Sequence, residues 1–189
     1  MNFKAVNFKA MTHKAVFALA LASVLLGVSA FAQMPAKPGA EIKKLDYFAG
    51  TWTLDATIEP GPWGGGGKLT STSTNEWMPG EYFILGHRDS KMPAELGGDT
   101  ASTVVMGYDS ERHAYTSDEF NSQGLHIISK GTLTGDTWVW TGSRNFGDME
   151  IQQKLTIKTV SPTKYSMKFE TSIDGTTWMT FMDGTATKK

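Results

Sequence analysis

"LDYFAGTW", residues 45–52, joins two incompatible periodicities. Into its first half Ile42, Leu45 and Phe48 recur every third residue with Lys43, Lys44 and Asp46 between them, which predicts a short helix over residues 41–48 with one apolar face. Gly50 ends that pattern. From Thr51 onward helical spacing nearly vanishes, and short runs rich in Thr, Val, Ile and aromatic residues alternate with turn residues. Trp52 then stands just inside the first strand, where the chain enters a closed antiparallel barrel.

Working outward, ten such runs are expected: 51–59, 69–78, 81–89, 101–108, 113–121, 124–133, 137–143, 150–158, 164–172 and 177–186. Turn chemistry separates them, including Pro79-Gly80, Gly135-Asp136, Ser161-Pro162 and Asp174-Gly175. Short connections imply sequential hairpins, and a sheet of about ten strands removes its exposed edges most completely by closing on itself. The expected fold is therefore all-β: a single antiparallel up-and-down barrel capped at one end by the short N-terminal helix. Trp138 and Trp178 repeat the order of turn residue, threonine and tryptophan seen at Trp52, so each is expected just inside a strand start.

The first 32 residues read as an export signal. Lys4, Lys9 and Lys14 precede an apolar run from Ala15 to Ala30, and Ala30-Phe31-Ala32 supplies the small residues of a cleavage site. The apolar run falls just short of a membrane span. Met11 would by itself begin an ordinary signal. The expected organisation is a signal peptide (1–32), a flexible linker (33–40) and a barrel domain (41–189), with the mature protein periplasmic or secreted.

Removing residues 1–32 takes away three lysines and no acid, leaving a formal net charge of −4. A mildly acidic chain without a basic run has no electrostatic footprint for nucleic acid, and no membrane contact is expected once the signal is cut. There is no cysteine, which excludes disulfides, thiolate metal sites and cysteine nucleophiles. WGGGGK, residues 63–68, fails as a phosphate loop because Pro62 and Leu69 stand where Gly and Ser or Thr are needed. Met179 and Met182 have the spacing of methionine copper motifs, but three residues apart on a strand puts them on opposite faces, so one ion could not join them. No nucleophile elbow and no His-Glu-x-x-His zinc helix occurs.

Gly50-Thr51-Trp52 resembles the Gly-x-Trp signature that opens the first strand of lipocalin-like (calycin) barrels, after a short helix that closes one end. Two further stretches, Glu76 to Leu85 and Gly107-Tyr108-Asp109 leading through Tyr115 to Gly124, are similar to the bacterial domain-of-unknown-function 1579 family. The resemblance covers roughly residues 41–186 and implies a calycin-like barrel with no established activity. Nitrobindins, a related haem-carrying barrel group, hold their iron through a histidine in the C-terminal part. No histidine occurs from Gly142 to Lys189, so no cofactor is expected.

Two hairpins carry the candidate chemistry. A tight turn after Asn121 would set Glu119 opposite His126, a carboxylate oriented to raise an imidazole's pKa. Across Pro79-Gly80 the same arithmetic sets Trp77 opposite Tyr82, with Asn75, Ile84, Gly86 and Arg88 on one face. Aromatic rings, a guanidinium and a gap at glycine would suit a small apolar, amphipathic or acidic ligand. The expected ligand wall is Trp77, Tyr82, Arg88, Tyr115 and Trp140, with the 41–48 helix as a lid and no metal site. Non-catalytic ligand binding is the leading reading. The alternatives are an enzyme using His126 or His87 with Glu119 and a filled barrel with a structural or interaction role.

Overall fold

A computed structural model describes residues 38–62 and 64–189. The expected signal peptide, and the linker as far as Lys37, lie outside the described residues. The chain begins with one α-helical turn, α1 (Ala40–Lys43), that tightens into a 3-10 turn at Lys44–Tyr47. The three-residue spacing explains the tightening, since a 3-10 helix eclipses positions i and i+3. Ile42, Leu45 and Phe48 are accordingly all buried.

Ten strands follow: β1 (Gly50–Ile58), β2 (Gly67–Trp77), β3 (Phe83–Lys91), β4 (Thr100–Asp109), β5 (Ala114–Asn121), β6 (His126–Thr134), β7 (Thr137–Phe146), β8 (Met149–Ser161), β9 (Lys164–Ser172) and β10 (Met179–Lys188). Each pairs antiparallel with the next, and β1 pairs with β10 from Trp52–Lys188 to Ile58–Met182, which closes the barrel. Every expected strand is present.

Side-chain alternation divides the barrel's interior into two zones. Around the helix, Ile42, Leu45, Phe48, Ile84, Tyr115, Trp138, Trp140, Ile157 and Met167 form one buried cluster, joined by Trp77, Tyr108, Tyr165 and Phe169. At the opposite end a smaller cluster of Ala56, Ile58 and Leu69 is covered by Met92 and Leu96 from the β3–β4 loop. Packing at the helix end requires a bare backbone at Gly131, where a Cβ would stand 2.7 Å from the Trp140 ring.

The tryptophans diverge in role. Trp52 is buried, its indole N–H donating to the Phe48 carbonyl at 3.0 Å. Trp138 lies in the same cluster and stacks parallel to Trp140 at 6.1 Å. Trp178 instead precedes β10, with the Lys154 ammonium 4.2 Å from its ring centre.

Two registers differ from expectation. The β2–β3 connection is wider than a two-residue turn, with positive φ at both Gly80 and Glu81, and it pairs Trp77 with Ile84 rather than Tyr82. That slip is even, so Asn75, Ile84, Gly86 and Arg88 keep their common face. The β5–β6 turn slips by one residue: Phe120 pairs with His126, and Glu119 with Ile127. An odd slip exchanges faces. Glu119 points inward, His126 points outward, and the expected His/Glu pair does not form. A bulge between Thr180 and Met182 similarly overturns the Met179/Met182 reading, because their partners, Thr171 and Phe169, share one face.

Candidate functional site

The helix is bolted over its end of the barrel by polar contacts to four parts of the wall. Trp77 of β2 donates its indole N–H to Asp46 at 2.7 Å, and Asn75 donates its amide to the Phe48 carbonyl at 2.8 Å. From β5 the Tyr115 hydroxyl reaches the Glu41 carbonyl at 3.1 Å and its carboxylate at 3.0 Å. Tyr47 donates from the helix to the β8–β9 turn, at the carbonyls of Ser161 and Lys164. Trp52 on β1 completes the ring. Lys44 and Tyr115 hold the Glu41 carboxyl below its ordinary range, while burial and the Glu41 contact push the Tyr115 phenol up. The segment expected to be a lid is built as a stopper.

Beyond this aromatic floor the inner wall turns polar. Arg88 on β3 forms an ion pair with Glu119 on β5. Both belong to the lumen face, yet their side chains remain 37% and 21% exposed, so water reaches into this half of the barrel. Ser71, Ser102, Gln153 and Thr171 are buried, and no side-chain hydrogen bond to a described residue satisfies them. Among the described residues, only Thr53 Oγ1 and Arg144 Nε are both sealed from solvent and unpartnered. The remaining lumen polar atoms therefore look onto space wide enough for water, which buried polar groups require. The Tyr165 phenol also faces this space: burial pushes it up to about 12, against the opposing charge of Arg88.

Two other concavities flank the lumen. A cleft of about 170 Å³ beside the stopper is lined by Pro38, Lys43, Asp46, Trp77 and Glu81. An open groove of about 370 Å³ near the far rim includes His87, Asp89, Thr103 and Phe120 on the outer wall. Next to it His126 stacks on Phe120 at 4.3 Å and contacts Asp118 at 2.9 Å. Among the described residues, no group of three or more His, Asp or Glu side chains is placed to hold a metal ion.

A family model described as "Protein of unknown function (DUF1579)" matches residues 37–188. The chain belongs to that family. Two solved structures share the fold of this DUF1579 member. The crystal structure of Rv2717c from M. tuberculosis superposes with a TM-score of 0.57 at 12% identity, covering 80% of this chain and 98% of that one. The S-type phycobiliprotein lyase CPES from Guillardia theta gives 0.56 at 10% identity, covering 84% and 97%. No curated protein matches the chain in sequence.

In this DUF1579 barrel the five residues expected to line a ligand wall occupy different depths. Tyr115 and Trp140 are buried in the floor. Trp77 spans the floor and the side cleft, and Tyr82 lies in the β2–β3 connection outside the strands. Arg88 alone among them faces the polar half of the lumen. Sequence reasoning missed Arg144, because the expected β7 stops at 143 whereas the strand runs to Phe146. The signal was present: Trp138, Trp140, Gly142 and Arg144 continue one alternation.

Proposed function

We propose that this protein is a non-catalytic carrier that takes one small, partly apolar molecule into the open half of its barrel. The observation that carries the reading is the graded lumen. A fixed aromatic floor of Trp140, Tyr165 and Phe169 lies beneath inward polar groups that the protein leaves unsatisfied. An apolar pocket with a few convergent polar groups is the usual form of a small-molecule site. The export signal read at residues 1–32 supports a periplasmic or secreted carrier, for which N-terminal sequencing of the native protein is expected to begin at Gln33.

The one-residue slip takes from the enzyme alternative its Glu119–His126 pair, and His126 contacts Asp118 on the outer wall instead. To test carriage, the neutral dye Nile red is titrated into the wild type and into Ser129→Trp, whose new ring would fill the lumen between β5 and β7. Saturable one-to-one binding that Ser129→Trp weakens at least tenfold is expected. Absence of saturable binding, or equal binding to the blocked barrel, would remove the reading.

A further inference from the structure

The inner faces of the ten strands carry three charged side chains in the open half of the lumen: Arg88, Glu119 and Arg144. Arg88 and Glu119 neutralise one another. Arg144 has no such partner. It alternates with the buried Trp138 and Trp140 on β7 and pairs with Ile151, itself buried, so it belongs to the lumen wall. Its Nε is sealed from solvent without a hydrogen-bond partner, and no ion pair or side-chain hydrogen bond to a described residue engages its guanidinium. A lumen guanidinium whose Nε is sealed and unpaired, with no ion-pair partner among the described residues, is an unfavourable arrangement that folding alone does not require.

The surroundings suit a ligand that would supply the missing charge. Gln153 pairs with Gly142 on the neighbouring strand, one step below Arg144, and its carboxamide also lacks a partner among the described residues. Gly142 contributes no side chain, so space remains beside the two polar groups. Below them lie Trp140, Leu155 and Phe169, which offer apolar contact. A guanidinium fork with a neighbouring amide matches a carboxylate, which accepts two parallel N–H bonds.

We propose that the cargo is an amphiphilic monocarboxylate whose acid group is held by Arg144, with Gln153 as second donor, and whose apolar body rests on the Trp140 floor. This inference rests on the carrier reading and adds the ligand's charge and orientation.

The test compares dansyl-undecanoic acid with its methyl ester by fluorescence titration of the full chain. The wild type is expected to bind the acid about 10- to 100-fold more tightly, the range given by charge-assisted hydrogen bonds. Arg144→Gln should bring the acid down to the ester's affinity and leave the ester unchanged, while Arg112→Gln, on an exposed turn, should keep the preference. Thermal melts establish that Arg144→Gln is folded, and the wild-type comparison stands without any variant. Equal affinity for acid and ester in the wild type, or a preference that survives Arg144→Gln, overturns the anchor while leaving carriage intact. If neither probe binds, the carrier reading falls and the anchor with it.

Discussion

Gly131 and Trp140 face each other across β6 and β7, and the contact shows how a single missing side chain shapes the floor. Because a Cβ there would come within 2.7 Å of the indole, Gly131→Ala must displace a packed ring. It should lower the unfolding free energy by about 1–3 kcal/mol in a denaturant titration. A gentler perturbation is Tyr115→Phe, which removes the hydroxyl bonded to Glu41 and should cost about 0.5–1.5 kcal/mol. Asp174 supplies a titratable case. Its carboxylate accepts the Thr177 and Thr176 amide N–H groups at 2.7 and 2.8 Å, which holds its pKa well below the ordinary range. A depressed folded-state pKa contributes stability that is complete above the ordinary carboxylate value and is lost as pH falls through the folded value. The melting-temperature gap between the wild type and Asp174→Asn should therefore be widest near neutrality and narrow as the solution is acidified below pH 4. The Gly131–Trp140 and Tyr115–Glu41 partners were not legible from sequence, since each depends on which elements meet in space, whereas Asp174 finds its partners within its own turn. What could be read was the demand for small or polar residues at turns.

At the scale of elements the stopper and the hairpins teach different lessons. Leu45 is wholly buried at the centre of the stopper. Leu45→Ala should cost about 2–5 kcal/mol, measured by equilibrium unfolding, because the rigid aromatic ring around it cannot collapse into the void. The helix's extent and apolar face were legible because the same three residues define both. Its fixity was not, since it depends on Trp77, Asn75 and Tyr115, which come from strands far along the chain. Strand positions were legible from turn residues, but registers were legible only as far as turn width could be guessed. At β2–β3 the error was even and harmless to the face assignment, whereas at β5–β6 the error was odd and turned an apparent acid-base pair into residues on opposite sides of the wall. The difference at β5–β6 lies in Asn121, whose side-chain carboxamide accepts the Gln123 and Leu125 amide N–H groups at 3.0 Å and builds a local turn.

For the whole molecule, closure is the governing property. The β1–β10 seam pairs seven residues on each strand, as continuous as the pairings inside the sheet. Hydrogen exchange should accordingly show amides in the middle of β1 and β10 protected to the same degree as those of β7 and β8. Early exchange confined to the seam would mark it as a true edge instead. Closure was legible because ten runs joined by short turns leave two costly edges unless the first meets the last. The polar half of the lumen was less so: the inward polar residues Ser71, Ser102, Gln153 and Thr171 look from sequence like ordinary outward positions until the alternation is anchored by Trp140 and Ile157.

Ten is an even number, and in a meander that parity sends the last strand back to the rim where the first began. Lys189 there donates its backbone N–H to Thr51 at 2.9 Å. A tag or surface coupling joined after Lys189 would thus emerge beside the stopper, at the rim opposite the Met92 and Leu96 cover. An immobilised barrel would present to solution the rim toward which Arg88, Glu119 and Arg144 lie, with its attachment out of the way.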